Sequence, residues 1–323
     1  MLVRLGCEDN LAKICQDWFP QDKAKGISSY KGQRSPGFYM NDNLKQTIDL
    51  WVKNVKNDWD FVIIISGQGT VRVGKSVLAQ QIAAYWTYAI WKAYGIKVPF
   101  DTENNIVFHG GQLIKKGNKL GRKYKYGCLI FDEAGADLEG VKAMKKTTQN
   151  VKDFFRECGQ YNMLNILCLP EFFDLPKGIA TNRSNCLIDC YVTVDDNDMW
   201  ERGKFNFFSA PAKKKLYKWG KKESDYKASR PDFYGDWDNV SVIDQEEYKR
   251  MKIEALKSRE VVSQREETRT AYLKGCFKIL LKDFALTQTE IAERIAEKQR
   301  IRTNHRFIGR LLAGENTDDD DDD

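Results

Sequence analysis

The stretch VIIISGQGTVRVGKSVLAQQ, residues 62–81, decides the fold. Four apolar, β-favouring residues run into a glycine-rich segment. Lys75 and Ser76 follow, and then a long apolar segment continues to Tyr94. Glycine removes the Cβ and lets successive backbone N–H groups approach an anion closely. The spacing Gly69-x-x-x-x-Gly74-Lys75-Ser76 fits the pattern G-x-x-x-x-G-K-[ST] in full, between a strand signal and a helix signal. Gly69, Thr70, Val71, Arg72, Val73, Gly74, Lys75, Ser76 and Val77 are therefore expected to cradle the phosphates of ATP. Lys75 is expected to reach the β- and γ-phosphates, and the Ser76 hydroxyl to hold Mg²⁺.

Such a site needs an acidic element for the metal. The run CLIFDEAG, residues 128–135, supplies one where four apolar residues end in Asp132 and Glu133. Asp132 is expected to orient the Mg²⁺ shell through water. Glu133 is expected to polarise the attacking water as general base.

Outward from these motifs, short apolar runs at 61–66, 105–109, 128–132, 165–169 and 186–194 alternate with helical segments. One helix holds Leu44, Ile48, Leu50, Trp51 and Val55, and another holds Val151, Phe154, Phe155 and Cys158. The pattern predicts an α/β P-loop NTPase fold, with a mostly parallel sheet covered by helices on both faces. The expected units are an N-terminal segment over 1–60 and an ATPase core over 61–225, with a hairpin near 204–219. A linker and charged helix over 226–262, a helical unit over 263–314 and an acidic tail over 315–323 complete the chain.

No run approaches the ~20 apolar residues that span a bilayer. The first ten residues, MLVRLGCEDN, carry charges where a signal peptide needs an apolar stretch, so a cytoplasmic protein without a membrane segment is expected. Eight cysteines without a Cys-x-x-Cys, and two histidines, argue for buried reduced thiols rather than zinc. The net charge is +6; the six terminal aspartates carry −6 of it, so the rest stands at +12. Lysine and arginine gather in residues 113–127, 142–146 and 211–222, which suits a polyanion such as DNA.

The acidic pair after the glycine-rich loop resembles the additional-strand catalytic-glutamate group of P-loop ATPases. Within it, residues 154–188, FFRECGQYNMLNILCLPEFFDLPKGIATNRSNCLI, resemble the corresponding stretch of the HerA/FtsK superfamily, with its zonular-occludens-toxin-like and viral packaging-type relatives. The resemblance covers roughly residues 60–195. It implies a ring oligomer, hexamer or pentamer, in which Arg156 or Arg183 reaches a neighbour's nucleotide. It also implies a polar sensor after the strand at 165–169. This chain reads Leu169-Pro170-Glu171 where that superfamily usually has Thr-Gln, which makes Glu171 the sensor candidate.

The C-terminal segment opens with a capping-box pattern, Thr287-x-x-Glu290, and carries Ile291, Ala292 and Ile295. A second helix is expected from near Thr303, burying Phe307, Ile308, Leu311 and Leu312. The pair resembles a helix-turn-helix and offers Arg302, Asn304, His305, Arg306 and Arg310 to DNA; a small self-association clip is the other reading. Lys142, Lys145 and Lys146 are expected to line a central DNA channel. The sequence thus predicts an ATP-hydrolysing DNA translocase or packaging-type motor. The alternatives are an ATP-switched DNA-binding adaptor in replication or transposition, and a morphogenesis or secretion ATPase.

Overall fold

Strand β1 (Phe61–Ser66) is buried along its whole length and lies near the middle of a seven-stranded sheet. In the computed structural model the described residues are 38, 40–70, 72–138, 146–194, 196–237, 241–299 and 305–313. Residues 1–37, Val71, Lys142, Lys145, Arg302, Asn304 and the acidic tail lie outside them. The chain divides into two units, Met1–Met251 and Lys252–Asp323.

In the first unit, helix α1 (Asp42–Val55) precedes β1, and α2 (Lys75–Tyr94) follows it. Then come β2 (Ile106–Val107), α3 (Gly110–Lys123), β3 (Cys128–Phe131), α4 (Lys146–Glu157) and β4 (Leu164–Cys168). A π-helical turn (Gly178–Arg183) leads to β5 (Cys186–Val194), β6 (Trp200–Ser209), α5 (Ala210–Gly220) and β7 (Phe233–Asp236). The strand order is β2-β3-β4-β1-β5-β6-β7. The first five are parallel, and β6 and β7 add antiparallel at one edge. This is the mostly parallel, helix-covered sheet that the alternation of apolar runs predicts. One strand, β4, stands between β1 and β3.

Each sheet face buries its own set of side chains, because successive residues of a strand point to opposite sides. Val62, Ile64, Leu129, Phe131, Leu167 and Leu187 join the core cluster that includes Val151, Phe154 and Phe155 of α4 and Leu216 and Tyr217 of α5. On β1, the alternate residue Phe61 stacks on Trp51 of α1 at 5.5 Å between ring centroids and meets Trp86 of α2 edge-on at 6.1 Å. On α1, Leu44, Ile48, Trp51 and Val55 are buried as their spacing predicts, whereas Leu50 is 57 % exposed. Leu50 lies between two residues of the buried stripe and falls on the solvent arc.

The predicted hairpin near 204–219 is replaced by a strand followed by a helix. Strand β6 ends at Ser209, and α5 begins at once with Pro211 in its first turn. Ser-x-Pro followed by Ala, Lys and Leu is a helix start, and the small and polar residues there gave a misleading turn signal. The hairpin partner of β6 is β5, upstream, joined through residues 195–199. Residues 233–236, inside the expected linker, form the edge strand β7.

Helix α6 (Gln245–Lys282) takes up the charged segment and runs past Met251. In the second unit, α7 (Gln288–Gln299) and α8 (His305–Ala313) pack with the end of α6. The capping box is formed: Glu290 Oε2 accepts from the Thr287 N–H at 2.7 Å, and Thr287 Oγ1 accepts from the Glu290 N–H at 3.2 Å. Phe277, Ile291, Ala292, Ile308 and Leu311 form this unit's core. Phe277 of α6 was not part of the two-helix reading and makes the unit a three-helix packing. Among the described residues no helix is long and apolar enough to cross a membrane.

Candidate functional site

The loop between β1 and α2 is shaped by backbone that few residues tolerate. Gln68, Gly69, Arg72 and Gly74 all have positive φ, between 52° and 94°. At Gly74, the residue before α2, φ is 94°, and a Cβ there would sit 3.0 Å from the Trp237 ring. At Gly67 the constraint is space: a Cβ would lie 2.8 Å from Lys75 Nζ and from Val73 Cγ2. Gly67 is outside the eight-residue motif, but the loop's curl depends on it. The N–H groups of Gly67 and Gly69 both donate to the carbonyl of Pro170, at 3.1 and 2.9 Å. The loop is thus sewn to the end of β4. Lys75 Nζ donates to the Thr70 carbonyl at 2.8 Å, on the loop's own concave side.

Across the sheet, Asp132 follows β3 and is 3 % exposed. The Ser76 hydroxyl lies 3.1 Å from each of its carboxylate oxygens. A hydroxyl and a carboxylate brought together at the start of α2 are the hard oxygen donors that Mg²⁺ takes. With the glycine-walled loop beside them, these residues fit a magnesium–triphosphate group. Glu133 is half-buried and has φ of 60°. A non-glycine residue held in the left-handed region costs about 1–2 kcal/mol.

Residues that sequence reasoning missed complete the surroundings. Tyr248, in the first turn of α6, is buried and donates its hydroxyl to Asp132 Oδ2. Burial, and then the negative Asp132, push its phenol well above the ordinary range, so it stays a donor. Its ring lies 5.7 Å from that of Phe108. Ser241, just upstream, donates to Gln80 of α2 at 3.4 Å. Trp237, Ser241 and Tyr248 therefore each pack on the phosphate loop or its surroundings. An isolated Tyr in a charged helix carries no sequence signal for this. Tyr248→Phe is expected to lower the unfolding free energy by about 1.5–3 kcal/mol, the worth of a hydrogen bond to a charged group. Urea midpoints of the two proteins check it.

On the other side of the loop, Glu171 lies next to it: its Oε2 is 3.7 Å from the place a Cβ of Gly69 would take. Glu171 Oε1 accepts from the Tyr226 hydroxyl at 2.5 Å and from the Phe173 N–H at 3.2 Å. Asp189 of β5 is fully buried and accepts from Gln68 Nε2 at 2.6 Å and from the Ser66 hydroxyl at 3.4 Å. Burial raises its carboxyl to about 7, against the lowering effect of hydrogen bonds from Gln68, Asn206 and Ser66. The folded value lies above the unfolded value, near 3.8. The native state therefore binds the extra proton. The stabilisation is complete below about pH 4 and is lost as pH rises through about 7. Asp189→Asn is expected to flatten the fall in urea midpoint between about pH 4 and pH 7 that the parent shows.

The two arginine candidates differ in their engagement. Arg183 pairs with Asp60 and donates to the Phe155 carbonyl; its side chain is 21 % exposed. Asp60 precedes β1, so this pair lies at the N-terminal end of that central strand, opposite the end that carries the glycine-rich loop. Arg156 is 71 % exposed and pairs with Asp153 at 3.0 Å within α4. Both line a cavity of about 420 Å³ with Lys152, Pro176 and Asn182. Lys146 opens α4, and His305, Arg306 and Arg310 fall in α8, with Arg306 exposed.

No family model matches the chain, and no curated protein matches it. Among solved structures, it is similar to the genome packaging NTPase B204 from Sulfolobus turreted icosahedral virus 2 in complex with AMP. That match has 14 % identity and a TM-score of 0.33, covering 49 % of this chain and 95 % of that one. The same protein in complex with ATP-gammaS matches at 15 % identity and a TM-score of 0.32, over 48 % of this chain and 94 % of that one. B204, the DNA-packaging ATPase from Sulfolobus Turreted Icosahedral Virus, matches at 17 % identity and a TM-score of 0.32, over 48 % and 95 %.

Proposed function

We propose that this chain is an ATP-hydrolysing nucleic-acid motor of the translocase or packaging type, active as a ring. The observation that carries the nucleotide reading is the Ser76 hydroxyl at 3.1 Å from both oxygens of Asp132, at the mouth of the glycine-walled loop. Within residues 69–77, the N–H groups of Gly69 and Thr70 are taken by the Pro170 and Gly67 carbonyls, so the backbone N–H groups at the start of α2, from Gly74 to Val77, would hold the phosphates. Lys75 would turn from the Thr70 carbonyl to the β- and γ-phosphate oxygens. Mg²⁺ held by Ser76, with Asp132 behind it, would offset charge on those oxygens. Glu133 would take a proton from the attacking water as the water oxygen bonds to the γ-phosphorus and the bond from that phosphorus to the β–γ bridging oxygen breaks, releasing ADP and inorganic phosphate. Glu171, tied to Tyr226, would sense the terminal phosphate through the loop that Pro170 anchors.

In the ring, Arg156 is the better candidate for reaching a neighbour, because Arg183 is committed to Asp60. The C-terminal helices would contact DNA through Arg302, Asn304, His305, Arg306 and Arg310. Lys142, Lys145 and Lys146 would face the channel. The test is ATP turnover with and without single- and double-stranded DNA. Severalfold stimulation supports a motor; turnover that DNA leaves unchanged removes the motor reading.

A second reading has its own observation. The Tyr248–Asp132 contact occupies a carboxylate oxygen that the metal site needs. A contact that must release before each turnover suits an ATP-switched nucleic-acid adaptor. In that case turnover stays slow, with DNA affinity following the bound nucleotide.

A further inference from the structure

We infer that the exposed face of α5 is a contact surface for single-stranded nucleic acid, and that it is wired to Glu171 beside the phosphate loop. The inference deepens the proposed function and rests on it for the nucleotide, though not for the binding of the strand.

Helix α5 has two unlike sides. Lys213, Leu216, Tyr217 and Gly220 are buried. Lys213 is fully buried and donates to the Ala180 carbonyl at 2.7 Å and to the Ser184 carbonyl at 2.6 Å, closing the π-helical turn. That anchor, with Tyr217 donating to the Leu175 carbonyl at 2.8 Å, fixes the rotation of the helix. The opposite arc then presents Lys214, Lys215, Lys218 and Trp219 to solvent, and Lys222 follows in the turn just past the helix. At 3.6 residues per turn the helical positions among these fall within one half of the helix surface.

Trp219 is the informative member. It is 65 % exposed, with Lys218 Nζ 4.5 Å from its ring centroid. A row of lysines alone is an ordinary solvated face. An exposed indole set among them adds a flat surface on which an unpaired base stacks while the lysines follow the phosphates. Lys222 is partly offset by Glu223 at 3.7 Å, so Lys214, Lys215 and Lys218 carry most of the attraction. A duplex hides its base faces and leaves the indole without a partner. The occupant that matches both features is therefore a single strand.

The buried side of α5 leads to the loop. Tyr217 meets Phe172 at 5.6 Å and Phe173 at 6.4 Å between ring centroids. Those two residues directly follow Glu171. The helix ends at Gly220, where a Cβ would collide with the Asp225 carbonyl. The chain turns there and brings Tyr226 against Phe173 at 5.0 Å and onto Glu171 at 2.5 Å. A strand held on Lys218 and Trp219 thus pulls on the segment that positions Glu171.

The test uses the full chain, a labelled oligothymidylate, a duplex of equal length and anionic phospholipid vesicles. The parent is expected to bind the oligothymidylate more tightly than the duplex or the vesicles. Reversing Lys214, Lys215 and Lys218 to Glu should weaken binding about 100-fold at low salt. It should also flatten the slope of log K against log salt by about 2, since each phosphate neutralised on a single strand adds ~0.7 to that slope. Trp219→Ala should weaken binding about tenfold, within the range for one stacked base, with the salt slope unchanged. ATP turnover without nucleic acid should be unchanged in both variants. Tyr226→Phe should keep oligothymidylate binding but lose the shift in affinity for a fluorescent ATP analogue that the strand produces in the parent. Unaltered affinity in both α5 variants, or a parent that prefers duplex or vesicles, overturns the surface. An equal shift in Tyr226→Phe and the parent overturns the link to Glu171. Absence of ATP turnover in the parent sinks the enzyme reading alone, since the binding measurements need no hydrolysis.

Discussion

Glu133→Gln is expected to bind ATP as the parent does and to turn it over about 10²–10⁴-fold more slowly, the usual worth of a positioned general base. The substitution keeps the side chain's size and removes only its ability to accept a proton. The backbone at 133 stays in the left-handed region with either residue, so the loop geometry is retained. Single-turnover measurements, which separate binding from chemistry, check it. Equal chemical rates in the two proteins would take the proton-accepting role from Glu133 and leave it as a half-buried carboxylate beside the site.

Lys75→Ala is expected to weaken ATP binding about 30-fold or more, since truncating one partner of a charged pair costs roughly 2–5 kcal/mol. The amine's hydrogen bond to the Thr70 carbonyl is exposed, so its loss should leave the fold intact. Titration calorimetry with ATP, alongside the urea midpoint, distinguishes the two effects. A variant that binds ATP normally would mean that the amine stays on Thr70 in the bound state and that the backbone alone holds the phosphates.

How far these residues were legible follows from the range of the interaction each one makes. Residues 69–76 and the Asp132–Glu133 pair are short local patterns at the ends of apolar runs, and the structure brings Ser76 onto Asp132. The parallel sheet was legible for the same reason: strands buried on both faces read as unbroken apolar runs. Tyr248 and Asp189 were not legible, because each meets its partners across more than a hundred residues of chain. Trp237 was hidden likewise: its contact is with a glycine, which offers no side chain to match. The hairpin error around Ser209 had a local cause. Serine, alanine and proline together open a helix as readily as they turn a strand, and only the pairing of β6 back onto β5 decides between them.

The left-handed backbone at Glu133 separates two selective pressures on one position. Glycine or asparagine would relieve the conformation there, and glycine's own entropic cost of about 0.5–1 kcal/mol leaves the fold close to even. A library randomised at 133 and sorted only for resistance to proteolysis should therefore accept glycine and asparagine freely. The same library sorted for ATP turnover should return glutamate. Foldability and chemistry ask for different residues at this position, and the glutamate found there is the one that folding alone does not favour.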